Sequence, residues 1–467
     1  MRVRMDTLLD FIEKVVGAKN ILRGEDVRAR PADWITKEPC LALALVRPAN
    51  AEQLSQVMAL CYEADQPVVT HGGLTGLVRG AVAASNELVI SLERMTEIES
   101  VDPVGGTLTV QAGVPLQIVQ EAAEQIGMQF ALDLGARGSC TIGGNIATNA
   151  GGIRVIRYGM MRDQVLGLEV VLADGSVVSS MNNMLKNNAG YDLKHMFIGS
   201  EGTLGIVTRA VLKLQPQQSA SQTALVACDS FESLVGLLQH MRQTLGGELG
   251  AFEVMWRSYY ALLTKESGRH NAPLDTDAPF YVLIEGLGND QAETAQRFEQ
   301  AITLAFEKEL LSDAVVANSD TQRDRLWAIR EDIEGLSELI APRFVFDISL
   351  PIISMDTYVN ELEASVREIW PDAKVVVFGH LGDGNLHVSI STGDSNEETR
   401  IKIESLVYKP LKEIGGSISA EHGIGLKKKD HLSISRNPGE IALMMRLKEA
   451  MDPKGLLNRG KVLPNKN

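Results

Sequence analysis

"LGARGSCTIGGNIATNAGGI", residues 134–153, sets glycines among Ser, Thr and Asn. Glycine lets the backbone approach a ligand closely and adopt positive φ, so that successive N–H groups converge on an anion. The Ser and Thr hydroxyls add donors without a lysine. One such loop read alone is a pair of turns. Two more follow the same recipe: "VVTHGGLTGL" (68–77) and "NNAGYDLKHMFIGSEGTLGIVT" (187–208). Three loops of this density point to a bulky pyrophosphate-containing cofactor rather than a small anion. No G-x-G-x-x-G lies between a strand and a helix, and there is no G-x-x-x-x-G-K-[ST]. A Rossmann NAD site and a P-loop are therefore not supported.

Around these loops the chain is that of a globular protein. Its 467 residues exceed one ordinary core, so about two to three domains are expected. The net charge of −15 argues against a nucleic-acid surface. Four dispersed cysteines, Cys40, Cys61, Cys140 and Cys228, form no CxxC and suggest a reducing, cytoplasmic setting. "MRVRMDTLLDFIEKVVG" reads as an amphipathic first helix without a secretory core. No window reaches the roughly 18 apolar residues of a membrane span, so any membrane contact is expected to be peripheral.

Secondary-structure signals divide the chain. Residues 50–66 read as a helix capped by Asn50, and 115–127 as a helix opened by Pro and closed by Gly. Residues 165–180 read as a hairpin turning at Asp174-Gly175. The polar stretch 214–222 marks a boundary. Beyond it, strands ("QTALVAC", "FYVLIEG", "RFVFDISLP", "KVVVFGHL") alternate with helices predicted at 291–311 and 321–340. The tail reads as a helix stopped by Pro453.

A second cluster carries chemistry. His380 and His387 bracket "LGDGNL", whose Asp383-Gly384 is a turn signal. If the flanks pair, the imidazoles meet at the mouth of the loop. Downstream, "SISAEHGIG" supplies Glu421 and His422. Two histidines and a glutamate suit a divalent cation with open positions, Zn²⁺ first, with Mn²⁺ or Co²⁺ also admitted. The alternative is that these are turn histidines satisfying local hydrogen bonds. His431 is a weaker candidate, and the basic run "LKKKDHL" (426–432) reads as a solvated face that could also attract an anionic substrate or an acidic electron carrier.

The strings "PVVTHGGLTGL" (67–77), "DLGARGSCTIGGNIATNAGG" (133–152) and "GYDLKHMFIGSEGTLGIVT" (190–208) resemble the FAD-binding domain of the vanillyl-alcohol oxidase/PCMH family. With "HLGDGNLH" and "SAEHGIG" the resemblance narrows to its D-2-hydroxy-acid dehydrogenase branch and covers residues from about 35 to 465. It implies an α+β fold: a two-subdomain PCMH-type FAD-binding domain (1–215), a C-terminal α/β substrate or cap domain with an antiparallel sheet (216–425), and a segment returning to the FAD domain (426–467). By position, Gly72, Gly73, Thr75, Gly76 and Leu77 would embrace the pyrophosphate. Ser139, Thr141, Gly143, Gly144, Asn145 and Thr148 would line the ribityl and isoalloxazine side. Glu201, Gly202, Ile206 and Asn458 would close over the cofactor. Leu74 stands where covalently flavinylated relatives carry histidine, so FAD is expected to be non-covalent, and His71 is not a linking residue.

The resemblance further implies that His380, His387 and Glu421 ligate the metal, that His422 is the general base, and that Arg330 binds a substrate carboxylate. A metal chelating the carboxylate and hydroxyl of a 2-hydroxy acid would lower the hydroxyl pKa and aim C2–H at flavin N5. His422, with an ordinary pKa near about 6.5, suits the proton. D-2-hydroxyglutarate is the best single substrate expectation, with D-lactate, D-malate and glycolate as alternatives. Three positions depart from the hydroxyglutarate pattern: Glu334 for Thr, Val345 for Lys and Ser389 for Asn. Arg343, two residues before Val345, would share its strand face and could replace the missing cation. Electrons would leave to an external acceptor such as an electron-transfer flavoprotein or a quinone, and a homodimer is the expected assembly. Two rival classes are a flavin-free metal-dependent hydrolase and a non-enzymatic scaffold. The absorption spectrum of the purified protein separates all three.

Overall fold

A computed structural model describes residues 5–464. The chain divides into two compact units. The first comprises 1–152, 158–217 and 421–467; the second comprises 153–157 and 218–420. The later junction thus falls between 420 and 421, where the sequence reading has 425 and 426. One consequence is that Glu421 and His422 belong to the first unit.

In the first unit, the helix Met5–Val16 buries Leu8, Leu9, Ile12 and Val16, a stripe at helical spacing, against the helix Ala51–Glu63. Residues 1–4 of the expected first helix lie outside the described residues. Asn50 caps the second of these helices, accepting the Gln53 N–H. Strands β1 (Ile21–Arg23), β2 (Ala44–Val46), β3 (Val68–His71) and β4 (Leu88–Ser91) form a sheet in the order β1-β2-β4-β3. Its β2, β4 and β3 run parallel, and β1 is antiparallel to β2.

The remaining strands of this unit are β5 (Ile98–Asp102), β6 (Thr107–Gln111), β7 (Met128–Gln129), β8 (Val165–Val171), β9 (Val177–Ser180), β10 (Ile206–Lys213) and β11 (Gln215–Pro216). Five of them make an antiparallel sheet in the order β5-β6-β10-β8-β9, and β7 pairs with β11. The β8–β9 turn forms where Asp174-Gly175 predicts it: Asp174 Oδ1 accepts the Ser176 N–H at 2.9 Å and Gly175 sits at φ +88°. Val110, Val170 and Leu212 of one sheet and Val46, Leu88 and Ile90 of the other belong to the same buried cluster. Two sheets sharing a core is the two-subdomain arrangement.

The second unit is one seven-stranded antiparallel sheet. It comprises β12 (Ala220–Cys228), β13 (Leu249–Trp256), β14 (Phe280–Gly288), β15 (Asp313–Val316), β16 (Phe344–Ser349), β17 (Lys374–His380) and β18 (Asn385–Ser391), in the order β15-β12-β14-β13-β17-β18-β16. Register fixes what shares a face, because side chains alternate along a strand and align across it. Glu253, His380, Asn385 and Ser349 form one cross-strand row. Met255, Phe378, His387 and Asp347 form the next. Val376, Ser389 and Val345 form a third. The apolar part of this face packs on Tyr259, Tyr260, Leu326, Trp327 and Ile329 from the helices Arg257–Ala261 and Asp320–Glu331.

The helix predicted at 321–340 is two helices, Asp320–Glu331 and Ile333–Leu339. Asp332 interrupts it: its carboxylate accepts the Gly335 N–H at 2.8 Å and so caps a second helix.

Candidate active site: a glycine cradle and a histidine platform

The first unit brings the three glycine loops together. A Cβ on Gly72 would lie 2.7 Å from Thr141 Oγ1, and one on Gly73 only 2.0 Å from the Ser139 carbonyl oxygen. Gly143 is pressed on the Ala112 Cβ at 2.7 Å in the same way. Loops one and two therefore pack backbone to backbone, which no other residue type allows. Thr141 caps the short helix Ile142–Thr148, and Thr148 Oγ1 donates back to the Gly144 carbonyl at 3.1 Å. Loop three joins through Glu201, whose N–H donates to the Ala147 carbonyl at 2.8 Å.

Asn458 ties this region to the tail. Its Oδ1 accepts the Thr70 N–H at 3.0 Å, its Nδ2 donates to the Glu201 carbonyl at 2.6 Å, and its own N–H donates to the Val68 carbonyl. A Cβ on Gly202, at φ +70°, would lie 2.9 Å from Asn458 Nδ2. Ile206, the first residue of β10, is buried behind the loop. Thr75, Gly76 and Leu77 are half-buried or exposed along the first loop, and Ser139 is exposed on the second.

This cradle fits a dinucleotide. Among the described residues, Thr70 Oγ1 and Lys461 Nζ are buried without a hydrogen-bond partner. Burial pulls the Lys461 ammonium down to about 8, against the pull of Glu87 and Glu201. A hydroxyl and a cation left unmatched beside a glycine cradle are what a polar, anionic cofactor would satisfy. His71, at the end of β3, is occupied structurally: its Nε2 is 2.8 Å from the Ala81 carbonyl, and burial pushes its pKa down to about 4.

The Glu421-His422 segment lies in this same unit. Glu421 Oε1 accepts the N–H of Gly152, in the second loop, at 2.9 Å. The Glu201 carboxylate accepts the N–H groups of Ile424 and Gly425 at 2.7 and 2.9 Å. Gly423 and Gly425 have positive φ, and a Cβ on Gly425 would lie 2.2 Å from the Val78 carbonyl. Glu201 thus turns its side chain to the 421–425 turn rather than outward. The basic run that follows is not simply a solvated face. Lys428 is buried, and Lys429 Nζ donates to the Gly460 carbonyl at 3.0 Å.

The second unit presents a histidine platform. The His380 and His387 rings lie 5.3 Å apart, centroid to centroid, at 81°. They come from adjacent rows, since His380 pairs with Asn385 and His387 with Phe378. His380 Nδ1 lies 2.8 Å from Glu253 Oε1, and Arg330 Nη2 lies 2.6 Å from Glu253 Oε2. Burial opposes ionisation of Glu253, but its contacts with His380 and Arg330 outweigh it and hold its carboxyl below the ordinary range. A carboxylate on Nδ1 directs the Nε2 lone pair to a ligand, the usual second partner of a metal-binding histidine. The donor set therefore fits a divalent cation.

Arg330 is buried with its guanidinium 4.8 Å over the Phe378 ring, and the Phe378 ring is 5.0 Å from that of His387. Arg343 Nη1 donates to Ser389 Oγ at 2.8 Å, across from the half-exposed Val345. Arg330, Arg343, Ser389 and both histidines are thus gathered in one unit. Glu334 is exposed in the first turn of Ile333–Leu339, where a carboxylate complements the helix dipole. Sequence reasoning missed Glu253. Its signal was a lone charge inside the otherwise apolar strand "LGAFEVMW", buried at every position.

Comparison with known proteins agrees with both halves. Residues 42–180 match the FAD binding domain family, and 217–462 match the FAD linked oxidases, C-terminal domain family. The mitochondrial D-2-hydroxyglutarate dehydrogenase of Arabidopsis thaliana is 38% identical over 458 residues, covering 98% of this chain and 81% of that protein. The D-2-hydroxyglutarate dehydrogenase of Xanthomonas citri is 41% identical over 438 residues, covering 92% and 91%. A putative mitochondrial D-lactate dehydrogenase of Schizosaccharomyces pombe is 35% identical over 441 residues, covering 92% and 84%. In fold, the chain is similar to p-cresol methylhydroxylase at a TM-score of 0.75 and 15% identity, covering 99% of this chain and 98% of that one. Alkyldihydroxyacetonephosphate synthase gives 0.74 at 18% identity, covering 100% and 86%. Among the described residues no helix is long and apolar enough to cross a membrane. The chain belongs to the FAD-linked oxidase family and, within it, to the D-2-hydroxy-acid dehydrogenase branch of FAD-dependent oxidoreductases.

Proposed function

We propose that the protein oxidises a D-2-hydroxy acid, D-2-hydroxyglutarate first, to the 2-oxo acid, with non-covalent FAD as hydride acceptor and a divalent cation, Zn²⁺ before Mn²⁺ or Co²⁺, as electrophile. When bound, FAD would take the C2 hydride at N5 and the cation would polarise the C2 hydroxyl. His380 and His387 would hold the cation from the platform, and the motif adds Glu421 as the third ligand. Arg330 would receive the C1 carboxylate, its own charge steadied by Glu253. His422 would take the hydroxyl proton as the hydride leaves, so that two electrons and two protons depart and a carbonyl forms.

The observation that carries this reading is the hydrogen bond from Gly152 to Glu421. It anchors the turn that bears His422 to the second glycine loop, so a candidate base and the cofactor cradle share one unit. Reoxidation would use an external acceptor, an electron-transfer flavoprotein or a quinone. The four cysteines are free and buried, which suits a reducing compartment.

The test is anaerobic addition of D-2-hydroxyglutarate, D-malate, D-lactate and glycolate to the purified yellow protein. Bleaching of the flavin bands by a D-2-hydroxy acid is expected, with the rate in His422→Ala reduced by about 10²–10⁴-fold. A colourless protein carrying stoichiometric zinc would point to the hydrolase class instead.

A further inference from the structure

Asn385 opens β18 with 3% of its surface exposed, and among the described residues neither its Oδ1 nor its Nδ2 has a hydrogen-bond partner. That is unusual: a primary amide carries two donors and an acceptor, and buried polar groups are almost always matched. Asn385 is the cross-strand partner of His380 on one side and Ser349 on the other. Its side chain therefore stands on the face that carries both histidines, two positions before His387 on the same strand. Glu253, the fourth member of the row, is spent on His380 and Arg330. Besides Ser349, the row thus contains one carboxylate already bonded, one imidazole oriented by it, and one amide without a hydrogen-bond partner.

We propose that the Asn385 amide is a substrate-binding group. It receives an oxygen of the 2-hydroxy-acid head, the carboxylate and hydroxyl that all candidate substrates share, beside His380. This rests on the hydroxy-acid reading above and adds a residue to it. The amide can donate to a carboxylate oxygen through Nδ2 and accept from a hydroxyl through Oδ1, so it matches both atoms of the head. Arg343 lies at the third row, by Ser389, and belongs to whatever extends beyond the head. The free enzyme carries the cost of an unmatched amide, and the bound head removes it. Stability and function are then opposed at this one position.

That opposition supplies the test. In Asn385→Leu, close in size and unable to hydrogen-bond, thermal unfolding of the flavin-loaded protein should begin no earlier than in wild type. Its kcat/KM should fall about 10–100-fold, and by the same factor for D-2-hydroxyglutarate and for whichever second D-2-hydroxy acid wild type oxidises. Asn385→Ala, which imposes no bulk, should share the kinetic loss. Binding of oxalate, which mimics the head with oxygens on two adjacent carbons, should weaken in parallel when measured by calorimetry. An earlier unfolding transition in both variants, with oxalate binding intact, would make Asn385 a structural group matched by buried water and overturn the proposal. So would unchanged kinetics, or a loss confined to one substrate. If wild type oxidises no D-2-hydroxy acid, the functional reading itself fails, and the thermal and oxalate measurements still decide what Asn385 does.

Discussion

Arg343 donates through Nη1 to Ser389 Oγ at 2.8 Å, and among the described residues it forms no ion pair. Burial pulls its pKa down, and no carboxylate counters that pull. Arg330 is different, since Glu253 lies 2.6 Å from it. A partly desolvated cation resting on a neutral hydroxyl is suited to an anion from solution. Arg343→Met should therefore lower kcat/KM for D-2-hydroxyglutarate by about 10–100-fold while leaving D-lactate within about 3-fold. Steady-state rates with a dye acceptor measure both. Equal losses on the two substrates would remove Arg343 from the distal carboxylate.

Gly73 is the tightest contact between the first two glycine loops, with its added Cβ 2.0 Å from the Ser139 carbonyl oxygen. Backbone meets backbone there, so nothing flexible can yield. Gly73→Ala should force the loops apart and purify with well under one FAD per chain. The ratio of flavin absorbance to protein reads the outcome. Full occupancy with normal activity would show that the loops separate without touching the cofactor.

His71 is the only histidine of the first loop, and its Nε2 lies against the Ala81 carbonyl at 2.8 Å. A ring so held, neutral well below its ordinary pKa because it is buried, is a poor candidate for a flavin bond. Acid precipitation should release all the yellow colour to the supernatant. Colour retained in the pellet would contradict non-covalent binding.

Asp332 gives a pH signature unrelated to catalysis. Burial opposes its ionisation, yet hydrogen bonds from Arg269, His270 and the Gly335 N–H bring its pKa down to about 2. A carboxyl depressed on folding contributes stability above its unfolded pKa, about 3.9, and loses it as pH falls through the folded value. Asp332→Asn should cost about 2 kcal/mol at pH 7. The gap from wild type should narrow between about pH 4 and 2, followed by urea unfolding. A gap that stays constant over that window would mean that the cap, not the charge, does the stabilising.

How much of this was visible in the chain depends on the range of the interaction. Asn50 capping its helix and Asp174-Gly175 turning its hairpin act over two or three residues, and both occur where the sequence predicts them. The glycine loops were also legible as cofactor-type segments. Their mutual packing was not, because Gly73 against Ser139 is a contact across more than sixty positions. The helix at 321–340 reads as continuous from periodicity alone; Asp332 splits it because a side-chain cap competes with the helix backbone.

By itself, the sequence determined the cofactor class and the α+β layout and singled out the two histidines as candidates, since motif strings and local propensity carry that information. Only the tertiary structure decided which groups serve them. Strand pairing put Glu253 behind His380 and left Asn385 unmatched beside it. Packing of segments outside the strands placed Glu421 on the Gly152 N–H and seated Arg343 on Ser389. Register is set cooperatively by burial on both faces of a sheet, and a one-residue slip would turn Glu253, His380, Asn385 and Ser389 away. No local pattern along the chain encodes that choice.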